Sequence, residues 1–288
     1  MMGYNNYKHL NEVYLYGKAH ALKFKTKNDT DEVRYALGVI QVIQGLRDTY
    51  SRVDNVKYDF VPVVAQRPEV IEEMLEWEEG DIVFCKGYIS SFPEKKPVKC
   101  SHCGGGHDRE EGVVMLLFAE RKWYRPDDDE AIEILKDHVE ISNMCKVAGE
   151  VCTDVIMSSI KRRKKEIPIA EYAVIVPVSN DQTRKVWVRT GGKTALSDHE
   201  VLRIGSRLLI DGMILSRKNV KRHTICRLCG QMFEWDSIKP MIAAYAIEYL
   251  KDFKEFEVEK AGPDQDSDIL EADGSVEEEA DDQEEGTT

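Results

Sequence analysis

Gly80-Asp81-Ile82-Val83-Phe84-Cys85-Lys86-Gly87-Tyr88-Ile89 is followed 125 residues later by Gly205-Ser206-Arg207-Leu208-Leu209-Ile210-Asp211-Gly212-Met213-Ile214, with glycine on glycine at both positions. Two further landmarks keep the same order. Asn11 to Gly17 and Asn143 to Gly149 both read Asn-x5-Gly, and Cys100-Ser101-His102-Cys103-Gly104 is answered by Cys226-Arg227-Leu228-Cys229-Gly230. The first Cys-x-x-Cys starts 20 residues after Gly80 and the second 21 residues after Gly205. The sequence is therefore an internal duplication with a period of about 130 residues, too long for a solenoid and right for two whole domains.

Outward from residues 80–89, the first copy reads as strands with one helix among them. Residues 11–25 form a long strand in which Gly17 marks a bulge or bend. Residues 39–43 and 58–65 are the next strands. Val70, Ile71, Met74, Leu75 and Trp77 have helical spacing between Pro68 and Gly80. Residues 81–90 and 112–121 complete the set. Three strands, a helix and two strands is the order of an OB barrel, a five-stranded Greek-key fold. In the second copy, residues 143–149, 170–178, 186–189 and 205–214 read as strands and residues 190–193 as a flexible stretch. The apolar spacing of residues 240–253 predicts a packing helix.

The expected organisation is a mainly β chain. One OB domain spans 1–125, a linker helix 126–140, a second OB domain with a C-terminal helix 141–255, and a disordered acidic tail 256–288. Residues 262–288 hold twelve acidic residues and no Lys or Arg; taken from the chain's −13, this leaves −1 on residues 1–261. Too little apolar surface is present there to offset the entropy of ordering. No run of 18 apolar residues occurs, and the first residues lack the apolar region of a secretory signal, so a cytoplasmic or nucleoid setting, on a phage or mobile element, is expected. Seven cysteines without a signal peptide read as reduced thiols available to metal.

The opening Asn-x5-Gly strand, the run Asp59-Phe60-Val61-Pro62-Val63-Val64-Ala65-Gln66-Arg67 and the Gly-Asp-x-Val-x-x-x-Gly strand at 80–87 resemble the bacterial single-stranded DNA-binding proteins. The likeness covers 11–120 well and 143–235 more loosely, and the tail resembles that family's acidic C-terminus. It implies single-stranded DNA as ligand, replication, recombination or repair as setting, and partner proteins recruited by the tail. Three departures stand out. The usual chain has one OB domain and assembles as an oligomer; each copy here carries an added Cys-x-x-Cys; and the chain ends Glu-Glu-Gly-Thr-Thr without an acidic-aromatic tip. Homo-oligomerisation is left open.

Sequence-tolerant binding of a single strand needs cations for phosphates and rings for bases. Tyr14 and Tyr16 share one face of their strand, as Tyr58 and Phe60 do of theirs. Tyr88, Trp123 and Trp187 add rings with polar neighbours. Lys18, Lys23, Lys25, Arg67, Arg121, Arg162, Arg163, Lys185, Arg189 and Lys218 are the candidate phosphate contacts, set against local potential and not total charge. Phe60, Phe84 and Phe118 are read as core rings, and Cys85, Cys145 and Cys152 as small core residues.

Two thiolates two residues apart can bind one tetrahedral ion, so Cys100, Cys103, Cys226 and Cys229 are candidate ligands of structural zinc. Two wirings fit: one shared four-cysteine site, or separate sites completed by His102 or His107 and by His223. No phosphate loop, Gly-x-Ser-x-Gly or His-Glu-x-x-His is present. Asp127-Asp128-Asp129-Glu130 reads as a solvated linker, so no catalytic residue is assigned. The alternative is a zinc-stabilised OB scaffold for protein or RNA.

Overall fold

A computed structural model describes residues 10–26, 33–44, 57–162, 165–179 and 182–251. Residues 256–288 and Arg163 lie outside the described residues, and so do the side chains of Arg162 and Lys218. The first half runs β1 (Asn11–Thr26), β2 (Val33–Gln44), β3 (Lys57–Ala65), α1 (Pro68–Leu75), β4 (Ile82–Lys99) and β5 (Gly106–Trp123). Pairing β1 with β2, β2 with β3, β3 with β5, β5 with β4 and β4 with β1 closes the ring. Only the β3–β5 pair is parallel. Val13, Leu15, Val61, Val63, Val83 and Cys85 point inward at full or near-full burial, as strand alternation requires.

After α2 (Asp128–Asp137) and α3 (Val139–Ser142), the second half runs β6 (Asn143–Val151), β7 (Ile156–Arg162), β8 (Lys165–Ser179), β9 (Gln182–Gly191), α4 (Gly192–Val201), β10 (Arg207–Ile225) and β11 (Met232–Lys251). β6 pairs with β10 and β8, β7 with β8, β8 with β9, β9 with β11 in parallel, and β11 with β10. This is the same OB barrel, with its first strand broken between Val151 and Ile156 into β6 and β7. The acidic run 127–130 caps the linker: the Asp127 carboxylate accepts the Glu130 backbone N–H at 2.8 Å, and the following acids sit at the positive end of α2.

Two expectations for the second half are corrected, and one strand is added. Residues 240–253 do not begin a helix, because β11 runs to Lys251 and closes the barrel between β9 and β10. Residues 190–193 are not a flexible stretch but the junction of β9 with α4, the counterpart of α1. The strand β7 lies before residues 165–179 and was not expected. In the first half, Gly17 is not the bulge, which falls between Ala19 and Ala21. Gly17 instead lies where a Cβ would come within 2.4 Å of the Gln41 carbonyl oxygen.

The barrels join through an antiparallel seam of β1 and β6, in register from Asn11 opposite Val147 to Leu15 opposite Asn143. Sequence numbers across every pair sum to one value, and Val13 faces Cys145, its own counterpart in the duplication. An antiparallel pair with this register has a local two-fold axis at Val13 and Cys145, so the two barrels are related by a pseudo-dyad. The Asn of each Asn-x5-Gly now has a role. Asn11 donates to the Ile89 carbonyl at 3.0 Å and accepts the Ile89 N–H at 2.9 Å. Asn143 does the same with Ile214, at 2.8 and 2.9 Å.

Candidate nucleic-acid interface and four-cysteine centre

The β4–β5 and β10–β11 hairpins carry the two Cys-x-x-Cys turns at their tips. In each, the first cysteine's N–H bonds a backbone carbonyl five residues on, and the glycine after the second cysteine donates back to the first cysteine's carbonyl. Gly104 and Gly230 hold φ of +71° and +70°, a left-handed conformation that glycine adopts without strain. The His102 and Leu228 backbone N–H groups point at the Sγ atoms of Cys100 and Cys226, each at 3.4 Å. Backbone donors to sulfur favour thiolate.

The two tips meet. Cys100 Sγ lies 3.8 Å from Cys229 Sγ, and Cys103 Sγ 3.6 Å from Cys226 Sγ, two contacts that the pseudo-dyad exchanges. All four sulfurs lie within 4.8 Å of one another. Zinc–sulfur bonds of about 2.3 Å in a tetrahedron place sulfurs about 3.8 Å apart, so the donor set fits one shared ion. Among the two wirings, the geometry brings together the shared one. His107 Nε2 lies 3.3 Å from Cys226 Sγ across the barrel boundary, His102 Nε2 lies 3.1 Å from the Met232 carbonyl, and His223 lies 3.7 Å from Glu234.

Charge at the cluster argues the same way. Against the desolvation penalty, the Cys229 and Leu228 amides and the His107 ring bring the Cys226 thiol down to about 5. Cys229, in spite of a hydrogen bond from Gln231, is pushed up to about 12 by burial and by Cys226, Cys103 and Cys100. Four thiols this close cannot all ionise without a cation between them.

The aromatic and basic candidates divide into three groups. Tyr16 is corrected: it is 4% exposed, stacked at 4.4 Å on His138 and packed with Ile43, Ile82, Ala131 and Leu135 beneath α2. Its outward face on β1 is covered by the linker, which strand alternation could not reveal. Tyr58 packs against the same small cluster. Several cations are already engaged. Lys18 pairs with Asp128 at 2.6 Å, Arg67 with Glu69 at 2.8 Å and Arg189 with Glu171 at 3.9 Å. Arg121 donates to the Glu76 carbonyl, pairs with Asp81 at 3.5 Å and lies 4.0 Å over the Tyr124 ring.

The third group faces outward. Trp123 is 47% exposed and Lys23 is exposed, while Lys25, Tyr14, Tyr88 and Trp187 are half-buried. Lys86 lies 4.9 Å over Tyr14, and the exposed Lys185 lies 5.3 Å over Trp187. Tyr88 packs with Leu37, Val64, Val113 and Met115, and Trp187 with Met213, Leu215, Met241 and Ala243. Phe118 is corrected from core to surface at 44% exposed, and the half-buried Phe60 and Phe84 also lie on the outer side. Bulges at 86–87 of β4 and across β5 turn Phe118 outward, a shift invisible to a period-2 reading. Phe84 and Phe118 meet edge-on at 6.1 Å. Cys85 and Cys145 are fully buried, whereas Cys152 lies just past β6 and is half-buried.

No family model matches the chain, and no curated protein does. Solved structures do. The wild-type single-stranded DNA-binding protein of Thermus aquaticus superposes with a TM-score of 0.55 at 15% identity, over 90% of this chain and 98% of that one. A deletion mutant of the same protein gives 0.54 at 16% identity, over 87% and 99%. The chain shares their fold. Both alignments span nearly the whole of each chain, so the likeness extends over both OB barrels together. Among the described residues no helix is long and apolar enough to cross a membrane.

Proposed function

We propose that this protein is a non-catalytic binder of single-stranded DNA acting in replication, recombination or repair, with one structural zinc clamping its two barrels. The observation that carries this reading is the outer surface of the paired barrels. Rings at Tyr14, Phe60, Tyr88, Phe118, Trp123 and Trp187 alternate with cations such as Lys86 and Lys185 on a scaffold that Cys100, Cys103, Cys226 and Cys229 lock at its tips. Rings on a basic surface accept any base by its π face, at roughly 1–3 kcal/mol for each stacked base. The acidic tail is the element for recruiting partner proteins and for competing with DNA.

Titration with oligo-dT at low salt tests the reading. Tryptophan fluorescence should be quenched at low micromolar protein, and affinity should fall steeply with added salt as condensed counterions are released. Absence of quenching and of any mobility shift at low salt would defeat it. One observation favours the alternative of a protein-binding scaffold: Ile225, Leu228 and Met232, each at least 66% exposed, cluster at the second knuckle. That reading predicts an unaltered fluorescence signal with DNA.

A further inference from the structure

The pseudo-dyad creates a difficulty for any single strand that crosses both barrels. A two-fold axis across the path reverses the 5′-to-3′ direction. Two equivalent grooves would then meet the strand with opposite polarity, and neither orientation would be preferred. The molecule escapes this only where dyad-related positions differ in chemistry.

They differ at many positions, and most of the outward rings fall in the first barrel. Register within the barrels sets the equivalences: Tyr14 pairs with Lys86 as Lys146 pairs with Asp211, so Tyr14 corresponds to Lys146. Trp123 pairs with Ile82 as Lys251 pairs with Arg207. Val64 pairs with Met115 as Arg189 pairs with Ala243, the equivalent of Met115, which puts Lys185 at the place of Phe60. At three positions a ring of the first barrel is a lysine of the second. Phe118 likewise becomes Ala246. The second barrel returns three rings, Trp187 where the first has Pro62, the exposed Tyr245 where it has Leu117, and the half-buried Tyr249 where it has Arg121. Lys146, Lys185 and Lys251 are all exposed, Lys146 beside Asp211 at 3.4 Å.

Resting on the reading of the protein as a single-strand binder, we propose that the barrels divide the strand between them. The first stacks its bases, the second holds its phosphates, and the strand lies in one orientation. A ring contributes by contact with base faces, and a lysine by releasing counterions from phosphate, so the two halves answer to different perturbations.

The test uses the full zinc-loaded chain and fluorescein-labelled dT of about 24 nucleotides, within the span of two barrels at roughly 4–16 nucleotides each. Two further oligonucleotides carry abasic sugar-phosphate residues in the 5′ half or in the 3′ half. Fluorescence anisotropy should show at least a tenfold loss of affinity for one of them and less than threefold for the other. Equal losses overturn the proposal. Lys185→Ala and Lys251→Ala should each reduce the slope of log affinity against log salt by about 0.7. Trp123→Ala and Tyr14→Ala should weaken binding and leave that slope unchanged. Slopes that move with the rings and not with the lysines also overturn it. If the unmodified chain binds no dT at low salt, it is the single-strand reading itself that has failed.

Discussion

Val13 of β1 lies directly opposite Cys145 of β6, and each occupies in its own barrel the place the other occupies in the second. Both are fully buried. A homodimer would bring two copies of one residue together at such a point. Here the duplicated chain supplies both halves of the seam, and sequence is free to diverge on either side of the axis. The four-cysteine centre is the second place where the axis passes between matched residues, so the barrels are fixed at two separated points.

Both Asn pincers should contribute measurably to stability. Asn11→Ala leaves the buried Ile89 N–H and carbonyl without their side-chain partner, and Asn143→Ala does so for Ile214. Each variant should lose roughly 1–3 kcal/mol in denaturant unfolding of the zinc-loaded protein. Asn11 also donates to the Pro177 carbonyl of the second barrel at 2.9 Å, so Asn11→Ala should be the costlier. A neutral result at either position would show that the pincer adds nothing to the strand pair it bridges, β1–β4 or β6–β10.

The two matched glycines Gly87 and Gly212 of the repeated strand should be far less tolerant than those of the knuckles. A Cβ on Gly87 would meet the Met115 carbonyl oxygen at 2.2 Å, and one on Gly212 the Ala243 carbonyl oxygen at 2.5 Å. Nothing lies within 4 Å of a Cβ on Gly104, whose positive φ alone is at issue. Gly104→Ala should cost about 1–2 kcal/mol. Gly87→Ala must displace backbone at the β4–β5 ladder and should lower the melting temperature by more. The reverse order of melting temperatures would contradict the packing described.

The duplication, the barrel order and the pairing of the four cysteines were legible because they depend on local signals: paired glycines, alternation, and thiols two residues apart. What escaped was tertiary. Residues 240–250 contain Met241-Ile242-Ala243-Ala244-Tyr245-Ala246-Ile247, with alanines at home in a helix, and only the vacancy between β9 and β10 makes them a strand. The repeat itself held the clue, since the first copy's fifth strand needed a counterpart. Tyr16 looked as available as Tyr14 until α2 folded over it. Only coordinates could choose between the two cysteine wirings, because the choice depends on where two hairpin tips end in space.

Zinc removal should act on the tips first. The sulfurs span both barrels, so chelation releases one clamp while the β1–β6 seam persists. The expected result is one zinc per chain by elemental analysis, and a lower melting temperature after chelation with little change in far-ultraviolet circular dichroism. Cys103→Ser and Cys229→Ser should each lose the metal. Two zinc ions per chain would refute the shared site.

Asp198 offers a stability measurement with a defined sign. It is fully buried in α4, where Thr190 donates to it at 2.7 Å, Tyr249 at 2.7 Å and Tyr172 at 3.2 Å. Burial raises its pKa above the ordinary 3.8, and the three hydroxyls offset only part of that. Above pH 3.8 the unfolded chain gives up this proton while the native state keeps it, so the native state binds more protons and stability falls as pH rises. The loss is complete once pH exceeds the folded value. Asp198→Asn removes the titrating group and keeps one oxygen to accept. Its unfolding free energy should therefore gain on the wild type as pH rises from 3.8 toward neutrality. A difference that stays constant with pH, or that runs the other way, would mean the carboxylate is as well stabilised inside the barrel as in water.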